Sequence, residues 1–212
     1  MKLAYLYLPS LIVILVAIIG IYKFRVILHY ERAIIIILIL NIIVDVVAKR
    51  LGMKSINNSF CYNLLNPVEI AITLAIYGKH LKHNSLRKVL NITIILFMAF
   101  AILTIVFTEN FFVEFNYYTF FVGGILVSFF SYLVWRDEIQ NTIISNQKVI
   151  LWFAAANFVY YTTTIPIISA NNWLLTYSKE MAFPIFAINK IIYGIWALII
   201  GIGFLWKSRI AT

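Results

Sequence analysis

Three ionisable residues fall inside long apolar stretches: Asp45, Glu69 and Lys190. A charge near the centre of a bilayer costs about 3 kcal/mol or more unless it is paired or hydrated. Residues of this kind, held on facing helices, bind a polar or charged ligand, relay a proton, or pair with one another. Glu69 belongs to the stretch from Phe60 to Gly78, FCYNLLNPVEIAITLAIYG. At about 100° per residue, Asn63, Asn66, Glu69, Thr73 and Tyr77 share an arc roughly 120° wide, and most of the remaining surface is aliphatic. That helix is expected to face the interior of a bundle. Pro67 lacks an amide hydrogen, so it frees a backbone carbonyl one turn earlier.

Other segments carry matching stripes. Asn41 and Asp45 are i, i+4, and Asn157, Tyr160, Tyr161 and Thr164 are i, i+3, i+4, i+7. Tyr193 follows Lys190 by three residues. Counted from the helix ends at 1.5 Å per residue, Glu69 lies about 14 Å deep, Lys190 roughly 12 Å, Asn41 about 10 Å and Asp45 about 5 Å. The expectation is a partly hydrated pocket lined by these eleven residues: Asn41, Asp45, Asn63, Asn66, Glu69, Asn157, Tyr160, Tyr161, Thr164, Lys190 and Tyr193. In it Lys190 pairs with Glu69, and Asp45 is the competing partner. The plainer expectation is that the same groups only fix helix register and bind nothing.

The elements that position these residues follow from composition. The 212 residues are 63% hydrophobic and 12% charged, with mean hydropathy +0.96. A soluble domain carries about 25% charged residues. Runs such as AIIIILIL do not alternate, which excludes a β-barrel. The fold class is therefore all-α, a polytopic integral membrane protein that is a single bundle of about seven transmembrane helices. Spans are expected at 3–22, 33–48, 60–78, 89–107, 117–135, 149–169 and 182–206. No signal peptide or lipidation motif is evident, and no soluble domain is expected.

The net charge of +9 points to anionic lipid rather than to nucleic acid, because the basic residues sit in loops. Eleven lie in the connections on one side and five on the other, with Lys190 inside a span. The positive-inside rule places the N-terminus out and the C-terminus in, and the pocket in the outer half. The usage of Ile, Asn and Lys suggests a bacterial inner membrane. Cys61 is the single cysteine, so no internal disulfide forms. The acidic, aromatic loop TENFFVEFNYY reads as an interfacial belt, with a ligand lid or partner surface as the lesser alternative. Gly124 and Ser128, and Ala197 and Gly201, have the spacing of close helix packing, within one chain or in a homo-oligomer. His29, His80 and His83, with Glu31 nearby, form a weaker cluster on the opposite side that has the donor types of a metal site.

These observations are expected to add up to a receptor-like or sensory module. It takes a small-molecule ligand from one side of the lipid bilayer and signals to a separate cytoplasmic partner. A small-solute or proton-coupled transporter is the alternative; it lacks an internal repeat, and it lacks the Pro-Gln pair of the small seven-span sugar carriers. An intramembrane lipid enzyme is a third reading, with Glu69 and the histidines as its candidates, although zinc hydrolases of seven spans carry histidines within the spans. No catalytic set or phosphate-binding glycine loop is present in the sequence, and the residues specify no cofactor. A lysine in the seventh span and a carboxylate in the third also resemble, superficially, the microbial rhodopsins. That resemblance, helped by the string Lys190-Ile-Ile-Tyr-Gly194, implies retinal on Lys190 with Glu69 as counterion. The chain departs from the family at Phe186, where proton pumps have an aspartate, and in a third span without arginine or a carboxylate-tryptophan pair. Lys190 also lies about 17 residues from the basic tail, too far outward for that family.

Overall fold

The computed structural model describes residues 4–107, 112, 115–140, 149–177 and 179–206, with the side chains of 4–6, 171–177, 179–183 and 186 outside the description. Among them are seven α-helices and no strand: α1 (Ala4–Tyr22), α2 (Arg32–Met53), α3 (Ser59–His80), α4 (Asn84–Phe107), α5 (Tyr117–Ile139), α6 (Val149–Tyr177) and α7 (Lys179–Trp206). Five are long and apolar enough to cross a membrane: α3, α4, α5, and the stretches Val149–Ala170 of α6 and Ala187–Trp206 of α7. α1 offers a shorter apolar stretch, Tyr7–Tyr22. α2 carries Asp45, Lys49 and Arg50 in its second half.

The surface of the bundle is apolar. Leu8, Leu11, Leu15 and Ile18 run down α1, and Ile188, Ile191, Ile195, Leu198, Ile202 and Leu205 run down α7, all exposed. Both rows follow three- and four-residue spacing, which puts each on a single helix face. Such stripes would aggregate in water and are at home against lipid tails.

Helix neighbours define a ring. α1 packs on α2, α2 on α3, α3 on α5, α5 on α6, α6 on α7, and α7 closes back on α1. α4 stands outside this ring, against α3 and α5. Only 17% of its apolar window is buried, which fits a helix with lipid on most sides. In the six-membered ring α3 and α7 lie opposite each other, while α2 is separated from α7 by α1 alone.

Close packing holds the ring. A Cβ on Gly124 would meet Tyr161 at 2.9 Å, and one on Gly201 would meet Val16 at 3.0 Å. The small-residue spacings are thus used within the chain, at the α5–α6 and α1–α7 contacts. The interior is filled by Tyr77, Phe153, Phe204, Ile70, Leu74 and Ile200, none of them exposed.

Four helices outrun their expected bounds by four residues or more: α4 begins at Asn84 rather than 89, α5 ends at Ile139 rather than 135, and α2 and α6 are longer at their C-termini. α2 continues to Met53 rather than stopping near residue 48. Lys49 and Arg50 extend it without penalty, because basic groups suit a helix C-terminus. α6 runs on to Tyr177 through Pro166. The aromatic loop between α4 and α5 lies mostly outside the described residues, as do Lys148 and the basic tail.

Candidate functional site

At one end of the bundle, the C-terminal parts of α2 and α6 meet the N-terminal parts of α3, α5 and α7. Between them is a half-open cavity of about 320 Å³. Its wall includes Asn41 and Asp45 from α2, Tyr62, Asn66 and Glu69 from α3, and Phe115, Tyr117 and Phe120 at the start of α5. Tyr160 and Tyr161 come from α6, and Asn189, Lys190, Tyr193 and Trp196 from α7. The volume is at the lower end of the range for small-molecule sites.

Asp45 is the hub of the wall. Ser10 Oγ on α1 donates to its Oδ2 at 2.7 Å, and Lys49 Nζ stands 3.8 Å from the same oxygen. Lys49 also donates to Ser10 Oγ at 2.7 Å and sits over the Tyr7 ring. On Oδ1, Tyr62 Oη donates at 3.3 Å and Lys190 Nζ at 3.5 Å. One carboxylate thus ties together α1, α2, α3 and α7. The first helix, which looks almost free of polar groups in the sequence, contributes Ser10.

The expected pairing of Lys190 with Glu69 is corrected by this geometry. Lys190 pairs with Asp45. Two facts explain it. The longer α2 carries Asp45 eight residues in from Met53, about 12 Å, instead of about 5 Å. The ring also sets α3 opposite α7, so Asp45 is the nearer carboxylate.

Glu69 is held differently. Its Oε2 accepts from Asn41 Nδ2 at 3.1 Å. Asn41 also donates to the Ile37 carbonyl, and its Oδ1 accepts from Tyr193 Oη at 3.2 Å. Among the described residues Glu69 has no ion pair, and its Oε1 takes no hydrogen bond. Glu69 is half-buried and faces the cavity.

Eight aromatic side chains make up much of the remaining wall. Tyr193 stacks on Trp196 with centroids 5.5 Å apart at 12°. Tyr160 packs on Trp196 at 5.9 Å and on Tyr161 at 5.1 Å. Phe120 meets Tyr161 at 5.8 Å. Below this floor a hydrogen-bonded chain crosses the bundle. Trp196 Nε1 donates to Asn157 Oδ1 at 2.7 Å, and Asn157 Nδ2 donates to Tyr77 Oη at 2.9 Å. Tyr77 Oη and Ser131 Oγ are 2.7 Å apart. This chain joins α7, α6, α3 and α5 in the buried interior.

Of the eleven residues expected to form the pocket, eight line the cavity: Asn41, Asp45, Asn66, Glu69, Tyr160, Tyr161, Lys190 and Tyr193. Three do not. Asn63 accepts the backbone N–H of Asn116 at 2.7 Å and so steadies the start of α5, where Asn116 itself accepts from the Thr119 N–H. Asn157 belongs to the interior chain. Thr164 is wholly buried away from the cavity. The wall also holds residues beyond the eleven. Tyr62 precedes Asn66 and Glu69 by four and seven residues, and Asn189, Tyr193 and Trp196 have the same spacing. That periodicity was the signal for them. Phe115 and Tyr117, at the start of α5, belong to the aromatic stretch expected to form an interfacial belt, and they line the cavity instead.

At the opposite end the described acidic groups are buried. Glu31, at 0% exposure, does not cap its own helix; its Oε1 accepts the Ile150 N–H at 3.2 Å, at the start of α6. An acidic group suits that position, where backbone N–H groups lack partners. His80 Nδ1 lies 3.3 Å from Glu138 Oε1, both buried, with the Tyr30 ring edge-on to the imidazole. His29 and His83 are exposed. The three histidines are not gathered, and no group of three metal-ligand side chains occurs among the described residues.

Comparison with known family models, curated proteins and solved structures finds no match in any of the three.

Proposed function

We propose that this chain is a receptor-like membrane module that binds a small molecule in the cavity at the Asp45–Glu69 end and signals to a separate partner at the other. One observation carries the reading. Glu69 faces a cavity of ligand size, and among the described residues its Oε1 has no donor, while the neighbouring Asp45 is spent on α1, α3 and α7. The chain from Trp196 to Ser131 supports transmission. A ligand that moves the floor of the cavity bears on four helices at once. The balance of basic residues supports an outward-facing cavity, in the cell membrane of a bacterium.

The test uses purified full-length chain in lipid nanodiscs. Native mass spectrometry reads co-purified small molecules, and a thermal-shift screen against a metabolite library reads added ones. The reading expects a compound that raises the melting temperature and loses that effect in Tyr160→Ala. A screen with no such compound, and no bound molecule by mass, contradicts it.

A carrier is the second reading, favoured by Pro67 beside Glu69 and by Pro166 and Pro184 in the cavity-end portions of α6 and α7. Uptake of the identified compound into proteoliposomes, abolished by Glu69→Gln, would replace the receptor with a carrier. The receptor reading expects binding without uptake.

A further inference from the structure

We infer that the ligand of this cavity is a small organic monocation, an ammonium group on an aromatic or apolar body, with Glu69 as its counterion. The inference rests on the binding role proposed above and adds the chemical class. Three features of the wall lead to it.

The first is the distribution of charge. Asp45 already has two ammonium groups, Lys190 at 3.5 Å and Lys49 at 3.8 Å. Lys49 is turned away toward Ser10 and Tyr7 on α1. Glu69 has neither. An anionic ligand would have to take Lys190 from Asp45 and would leave Glu69 facing it. A cation meets Glu69 directly.

The second is the supply of acceptors. Glu69 Oε1 takes no hydrogen bond among the described residues, and the buried Asn189 Oδ1 in the same wall has no partner either. Two acceptor oxygens without donors ask for N–H groups on the ligand. A primary ammonium supplies three. A quaternary ammonium supplies none.

The third is the aromatic wall. Tyr160, Tyr193 and Trp196 line the same cavity as Glu69, and ring faces attract cations where water is thin; the Tyr193 ring already stacks on Trp196 and holds Lys190 Nζ 5.6 Å from its centroid, which leaves Tyr160 as the ring for the ligand. Their combined apolar area suits the body of the ligand.

The probe is phenethylamine, with 2-phenylethanol as its neutral counterpart, phenylacetate as the anion and L-phenylalanine as the zwitterion. Titration calorimetry on the full chain in nanodiscs reads each. The expected result is that phenethylamine binds at least ten times more tightly than the other three. Glu69→Gln should cut its affinity about tenfold or more and leave 2-phenylethanol unchanged. Tyr160→Leu, which keeps the carboxylate, should weaken the amine more than the alcohol, and it serves if Glu69→Gln does not fold. Equal or tighter binding of phenylacetate or the alcohol overturns the inference, as does an amine preference that survives Glu69→Gln. If the library screen yields a neutral or anionic compound and no amine, the cavity is a binding site and only the ligand class falls. If no compound of any charge binds, the binding role itself falls.

Discussion

The two ends of the bundle use similar residues for opposite purposes. At the Glu31 end the side chains of Glu31, His80 and Glu138 are buried, and each is held by another helix or its first turn. At the open end Asn41, Asn66, Glu69 and Tyr160 surround a cavity of about 320 Å³. A buried polar group costs little when its partner is another helix, and it then serves as a fastener. The same group beside a cavity has part of its hydrogen-bonding capacity left over. The difference between the ends is therefore one of spare acceptors and space, not of residue type. Asp45 shows the point, because it stands in the open end yet has four partners.

Mutations can break this contrast. Asp45→Leu leaves Lys190 and Lys49 without their carboxylate and should cost about 3–5 kcal/mol, the penalty for breaking a buried pair. Thermal unfolding in detergent checks it, and Asp45→Leu combined with Lys190→Met should recover part of the loss. Glu31→Ala strips the start of α6 of a charged acceptor at full burial and should cost about 3 kcal/mol. Trp196→Phe removes one donor from the interior chain and should cost about 1 kcal/mol. Glu69→Gln keeps an acceptor for Asn41 and loses no ion pair, so stability should change by less than about 1 kcal/mol. If Glu69→Gln is as damaging as Glu31→Ala, the two ends do not differ in the way described.

Much of the architecture is legible in the chain, because lipid imposes long apolar helices and leaves few alternatives. The stripes on α2, α3, α6 and α7 are legible for the same reason: charged residues among aliphatic ones must point inward. What local pattern does not contain is the order of helices around the ring. Lys190 pairs with Asp45 because α3 and α7 stand opposite, and no spacing within one helix encodes that. Asn63 shares the arc of Glu69 and yet steadies the start of α5, since a helix placed beside α3 reaches it first. Glu31 looks like part of a histidine cluster and instead caps α6, 119 residues away.

The claim that the open end holds accessible space is tested most directly by cysteine labelling in proteoliposomes. On a Cys61→Ser background, Asn66→Cys and Asn157→Cys are exposed to a membrane-impermeant, positively charged methanethiosulfonate reagent. Position 66 lines the cavity and position 157 lies in the buried interior. The expected result is rapid modification at 66, slowed by a bound ligand, and no modification at 157. Equal protection at both positions would mean that the open end is no more accessible than the bundle interior.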